Sequence, residues 1–196
     1  MKSVWKFLAL SLVCSCSSVA IAGEITCLPN DQRIATLSDA IECKTLNSVN
    51  LHSPAQIDAL FDDLGSAWVK EGELTAAGSN DLFTVTANSW ATNVDGQWSI
   101  AASFWETYGR AVITMHVGEG QGNPDAFAWL ITPGTLTGDF SYERVAGKGG
   151  GLSNLFLFGS GEPVKVDPHS VPESNIALLL LIGLCSLVVS RRRSRV

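Results

Sequence analysis

The sequence predicts a mainly β protein, an antiparallel β-sandwich preceded by one short helix. Three observations point there. Apolar residues recur at every second position through the second half of the chain. Short runs of this kind alternate with turn signals at regular spacing. The 18 Gly and 6 Trp among 196 residues also suit strands and turns better than a helical bundle. The length fits one domain large enough to bury a core.

The helix comes first. Ser53-Pro54-Ala55-Gln56 offers an N-cap, a proline at the first helical position and a capping-box Gln. Ile57, Leu60, Phe61 and Leu64 follow at helical spacing, and Gly65 is placed to stop the helix. Asp58, Asp62 and Asp63 fall on the other face, where a solvated surface is a commoner reading than a metal site.

From about Trp68 the period becomes two. Trp98, Ile100, Ala102 and Phe104 share one face, Ile113, Met115 and Val117 a second, and Phe127, Trp129 and Ile131 a third. Asp95-Gly96 reads as a hairpin turn between Trp90-Ala91-Thr92 and Trp98-Ser99-Ile100. Gly118 to Pro124 links the next two strands, and Pro133-Gly134 opens a further turn. Leu152 to Phe158 is apolar on both faces, as in a strand covered on both sides. No internal repeat is visible.

Charge separates the ends from the middle. The chain carries 13 Lys and Arg against 19 Asp and Glu, a formal net charge of −6. Six of the basic residues lie at the termini, so the stretch from Gly23 to Ser170 stands at −11. Such a middle lacks the clustered cations that phosphate contacts require, which argues against nucleic acid as a partner. At the N-terminus, Lys2 and Lys6 flank a short apolar run from Phe7 to Val13. Small residues follow, ending in Ala20-Ile21-Ala22. This is the pattern of a secretory signal peptide over residues 1–22, cut between Ala22 and Gly23.

At the C-terminus, Val171-Pro172-Glu173-Ser174-Asn175 precedes an apolar stretch from Ile176 to Val189, then Ser190 and Arg191-Arg192-Arg193. As a helix this stretch would extend roughly 21 Å at about 1.5 Å per residue. A bilayer core is about 30 Å thick, so spanning relies on Ser190 and a snorkelling Arg191. The arginines would keep the C-terminus cytoplasmic. A Pro-Glu motif, a brief hydrophobic helix and a terminal Arg cluster resemble the PEP-CTERM sorting signal of exported bacterial proteins. Val171, Pro172 and Glu173 carry the motif and Arg191, Arg192 and Arg193 the basic end, with Ser174 where a second proline usually stands. The resemblance implies recognition and cleavage by an exosortase, a membrane enzyme. The segments Asp125–Leu130 and Gly151–Gly159 are also similar to the closing part of many PEP-CTERM ectodomains.

The organisation expected is therefore a signal peptide (1–22), a disulfide loop and helix (23–66), a β-sandwich part of the same ectodomain (67–162), a linker (163–170) and a sorting tail (171–196). The transmembrane helix of the tail spans 176–189 and its Arg cluster 191–195. Cys14 and Cys16 leave with the signal peptide and Cys185 lies in the tail helix. Cys27 and Cys43 remain, an even pair in an exported domain, and a disulfide between them is expected.

Motifs for chemistry are sparse. His52, His116 and His169 form no His-Glu-x-x-His or His-x-His pattern, and Ser160, between Gly159 and Gly161, lacks a nucleophile's strand-turn-helix setting. The glycine clusters 118–122 and 147–151 lie between strands with no helix N-terminus to hold an anion, so they read as turns. Asp95, Glu119 and Asp125 are loop carboxylates that calcium would need to bring together, without any EF-hand ladder. No metal and no cofactor is expected. Trp68, Trp90, Trp98, Trp105 and Trp129, with Tyr108 and Tyr142, are the one positive hint, since exposed rings stack on sugars. Core packing should claim roughly three or four of the five indoles. The reading is a non-enzymatic surface or extracellular-matrix protein, held briefly in the inner membrane, processed by an exosortase and contacting exopolysaccharide. The alternative is an exported polysaccharide hydrolase built from distant carboxylates.

Overall fold

The computed structural model describes residues 24–27, 32–65, 67–118 and 122–163. The signal-peptide cleavage point, His169, the sorting motif, the apolar stretch 176–189 and the Arg cluster lie outside them. Among the described residues no helix is long and apolar enough to cross a membrane.

Among the described residues, eleven strands form two antiparallel sheets. They are β1 (Ile25–Cys27), β2 (Arg33–Leu37), β3 (Ala40–Leu46), β4 (Val69–Leu74), β5 (Gly78–Ser79), β6 (Phe83–Ala87), β7 (Asn93–Ile100), β8 (Arg110–Val117), β9 (Ala126–Ile131), β10 (Thr137–Arg144) and β11 (Leu152–Ser160). Sheet A runs β1-β2-β10-β7-β6-β5 and sheet B runs β3-β9-β8-β11-β4. Their facing surfaces form one core. Leu37, Val85, Trp98 and Phe140 come from sheet A, and Ile113, Met115, Trp129 and Leu157 from sheet B. The chain is thus mainly β with a β-sandwich-like pair of sheets.

Three sequence expectations need correction. Residues 23–66 are more than a loop and a helix, because β1, β2 and β3 are strands of the two sheets. These strands are short and carry Thr, Arg, Glu and Lys, which hides their alternation. Asp95-Gly96 is not a turn but lies inside β7, and the chain reverses ahead of it, with Asn88 N–H donating to Asp95 O at 3.0 Å. Gly96 is needed for closeness rather than for a turn: a Cβ there would sit 2.5 Å from Cε1 of Phe140, which packs across from the paired strand. Ala102 and Phe104 do not continue the face of Trp98 and Ile100. They belong to a second helix, α2 (Ala102–Thr107), which still delivers Phe104 to the same core.

The expected helix is present as α1 (Pro54–Leu60), followed by a 3-10 turn at Asp62–Leu64 and Gly65 at φ 82°. Gln56 Oε1 accepts from the backbone N–H of Ser53 at 3.1 Å and from its hydroxyl at 2.9 Å. Topology explains where α1 lies. β3 and β4 are opposite edges of sheet B, so the connection must cross about 19 Å of sheet, four strand spacings of about 4.8 Å. It crosses the outer face, where Leu51, Ile57, Phe61 and Trp68 bury Val112, Leu130, Phe156 and Phe158 in a second core. That cover is why β9 is buried at every position and why β11 is apolar on both faces. The turn at Thr132-Pro133-Gly134-Thr135 is also as expected, with Thr135 N–H donating to Thr132 O at 3.2 Å and Gly134 at φ 82°.

Candidate functional site

Sheet B is covered on both faces, while no described residues cover the outer face of sheet A. That face holds a groove of about 480 Å³. Thr84 and Thr86 of β6, Gln97 and Ser99 of β7, and Thr137 and Asp139 of β10 line it, with Ser38 and Asp39 of the β2–β3 turn. Strand alternation places them together: the inward phase of β7 is Val94, Trp98 and Ile100, so Gln97 and Ser99 must point outward. The lining side chains are already linked. Gln97 Nε2 donates to Asp139 Oδ1 at 3.1 Å, Ser38 Oγ donates to Asp39 Oδ2 at 3.1 Å, and Asp139 N–H donates to Ser38 Oγ at 2.8 Å. The groove therefore offers hydroxyls, an amide and two carboxylates, and among the described residues no Lys or Arg lines it.

The indoles are not a stacking platform. Trp68, Trp98 and Trp129 are buried, and Trp90 and Trp105 are half-buried, with Nε1 donating to Ser153 O at 3.1 Å and to Thr135 O at 2.9 Å. Trp129 Nε1 donates to Ile25 O at 3.3 Å. No fully exposed tryptophan occurs among the described residues. Tyr142 is buried, and Tyr108 is half-buried over Gly159, where a Cβ would stand 2.5 Å from Cδ2 of its ring. Tyr108 Oη donates to Glu71 Oε1 at 2.5 Å, and that bond, with burial and the carboxylate's charge, pushes the phenol up to about 12.

Of the candidate calcium carboxylates, Asp95 and Asp125 each have partners of their own. Asp125 holds Arg33, with Nη1 donating to Oδ1 at 2.5 Å, and its Oδ2 accepts from Ser48 N–H at 2.7 Å. Asp95 lies on β7, its Oδ2 3.5 Å from Asn88 Nδ2. Glu119 is outside the described residues. Among those described, no three His, Cys, Asp or Glu side chains gather in a way that would hold a metal ion. His52 is exposed with Nδ1 2.8 Å from Asn50 O, while His116 is half-buried within β8. Ser160 is buried at the end of β11. Of the acids on the helix segment, Asp58 Oδ1 is 3.5 Å from Trp68 N–H and Asp63 lies 3.8 Å from Lys44 Nζ.

Arg33 is the residue that sequence reasoning missed. It is 1 % exposed, and besides Asp125 it donates to Pro124 O at 3.0 Å. One glycine of each cluster lies against it: Cβ atoms at Gly122 and Gly150 would fall 3.3 Å and 2.8 Å from its Nε. Gly122 and Gly150 thus leave room for a buried guanidinium. The available signal was phase, since Arg33 shares the inward register of Ala35 and Leu37.

Cys27 and Cys43 are joined as a disulfide with Cα atoms 5.8 Å apart. The bond links β1 at an edge of sheet A to β3 at an edge of sheet B. Comparison with protein-family models, curated proteins and solved structures finds no match.

Proposed function

We propose that this chain is an exported, non-enzymatic protein of the cell surface or extracellular matrix, released from a transient membrane anchor by an exosortase and contacting exopolysaccharide. One observation carries the reading: Val171-Pro172-Glu173, the apolar stretch Ile176 to Val189 and Arg191-Arg192-Arg193 stand in the order and proximity that a sorting signal requires. The signal-peptide pattern over residues 1–22 and a disulfide-linked fold agree with an oxidising destination. A proline at 172 would disfavour helix at the residue before it, which suits a cleavage motif just ahead of the apolar stretch. The arginines hold that motif at fixed depth, because a charge at the bilayer centre costs several kcal/mol. Polysaccharide contact draws on hydrogen-bonding side chains rather than on stacking, given where the indoles lie.

The test is the C-terminal peptide of the mature protein, by mass spectrometry, in a host with an exosortase. Cleavage near Pro172-Glu173 is expected. Glu173→Ala should block it while leaving the chain in the membrane, and Ala at 191–193 should weaken both retention and processing. Recovery of Ile176 to Val196 in the major mature form would overturn the reading.

A further inference from the structure

The connection over the outer face of sheet B includes a strap, residues 49–65, whose hold on the sheet is made of side chains. Among the described residues, the backbone hydrogen bonds of the strap run within it, as with Phe61 N–H to Ile57 O at 2.9 Å and Gly65 N–H to Asp62 O at 3.4 Å. Three side chains of sheet B reach its carbonyls: Thr114 Oγ1 donates to Leu51 O at 3.0 Å, Lys44 Nζ to Leu60 O at 2.8 Å, and Arg110 Nη1 to Leu64 O. Alongside these pins, Leu51, Ile57 and Phe61 pack in the second core, apart from the core between the sheets. The strap can therefore leave the sheet without parting any pair of strands.

Both ends of the strap have left-handed backbone. Ser48, just ahead of it, stands at φ 56°, and Gly65 and Ala67, at its exit, both stand at φ 82°. Glycine adopts this region freely, whereas the Cβ of Ala67 makes it costly, so the closed position holds backbone strain at that point. Burial adds a second cost: Asn50 Oδ1 and Trp68 Nε1 are enclosed with no hydrogen-bond partner. Opening relaxes the hinge and lets water reach these two atoms, which offsets part of the apolar contact that is lost.

We propose that residues 49–65 are a hinged cover, which swings off sheet B as one unit about Ser48 and Ala67 while both sheets stay folded. The face it uncovers carries the apolar side chains of Val112, Ala126, Ala128, Leu130, Phe156 and Phe158. The device depends neither on the sorting tail nor on the groove of sheet A.

Hydrogen exchange of the purified full chain in detergent, read by mass spectrometry of its peptides, tests this. Peptides of the strap are expected to exchange together, about ten-fold or more faster than peptides of β8, β9 and β11. Ala67→Gly removes the strain from the closed position and should slow strap exchange about three- to ten-fold. Thr114→Val takes away one pin and leaves the Leu51 carbonyl buried without a donor, so it should speed strap exchange about five-fold or more. Ile113→Val, in the core between the sheets, should speed exchange of the strands and leave the strap unchanged, because that core stays closed when the strap opens. Near-ultraviolet circular dichroism checks that each variant keeps its fold, and Ala67→Gly, which stabilises the closed form, stays informative if another variant does not. Strap exchange in step with the strands, no slowing by Ala67→Gly, no speeding by Thr114→Val, or a response of the strap to Ile113→Val equal to that of the strands overturns the proposal.

Discussion

Tyr108 shows how one residue's surroundings govern its ionisation. The chain has two tyrosines, and both are held in the neutral form beyond the ordinary phenol range. For Tyr108 the hydrogen bond to Glu71 is the main cause, followed by burial, and the phenol moves up to about 12. For Tyr142 burial raises it, against the opposing pull of Arg33 and Arg144. A raised pKa in the folded state means that the stabilisation is complete below the unfolded value near 10. It fades as pH rises through the folded value. Absorbance at the tyrosinate band should therefore show no half-ionisation near pH 10 while the protein is folded, and stability should fall between about pH 10 and 12. Ionisation of both tyrosines with an ordinary midpoint near 10 in the folded protein would contradict this. Aromatic placement also explains several glycines: Gly96 sits against Phe140, Gly138 against Trp98, and Gly159 against Tyr108, each with no room for a Cβ.

Among the elements, two connections do more than join strands. The segment from β3 to β4 crosses sheet B, and two cations hold the carbonyls at its helical end. Lys44 Nζ donates to Leu60 O at 2.8 Å and lies 4.6 Å from the centroid of Phe61, while Arg110 Nη1 donates to Leu64 O. This placement suits the partial negative charge at a helix C-terminus. The loop from β8 to β9 supplies Asp125 to Arg33 of β2, so a connection of sheet B is pinned to a strand of sheet A. Removing one partner of a buried ion pair leaves the other charge uncompensated. Asp125→Ala should cost about 3–5 kcal/mol in urea unfolding. Adding Arg33→Met to that variant should recover much of the loss, because an apolar side chain of similar length removes the stranded charge. If the double variant is no more stable than the single one, the charge is not what the pocket depends on.

For the molecule as a whole, the disulfide and the Trp129–Ile25 hydrogen bond tie the three-residue strand β1 to the opposite sheet. A strand this short adds little pairing of its own, so these ties set its position. Replacing both Cys27 and Cys43 with Ser should cost about 3 kcal/mol, chiefly by freeing the unfolded chain. Intact mass of the exported chain should rise by about two daltons on reduction, as two thiol hydrogens return. Two alkylatable thiols at these positions without reductant would show that the pair is open.

Much of the fold was legible where local chemistry and tertiary demand coincide. The N-terminal signals of α1, the Pro133-Gly134 turn and the alternation of β8 and β9 each follow from short-range rules that the packed protein has no cause to override. The same residues reappear where those rules place them: Ile113, Met115, Phe127 and Trp129 in the core, and Ile57 and Phe61 on the buried side of the helix segment. The open polar groove was not legible, because Ser38, Thr84, Gln97 and Asp139 are distant in sequence and carry no motif. Only the strand order β10-β7-β6 makes them neighbours. Arg33 was hidden for a related reason: a buried charge is possible only if its partners arrive from elsewhere, and Asp125, Pro124 and the two glycine clusters lie about ninety or more residues further along the chain. Gly96 misled for the converse reason, since a glycine that permits a turn and a glycine that admits a neighbour's ring are the same letter. Sequence alone determined the class of fold and singled out the cysteine pair, because alternation and cysteine count are read from the chain directly. Tertiary structure decided which faces are covered, which charge is buried and which surface stays open, because these are properties of strand order and of long-range contact.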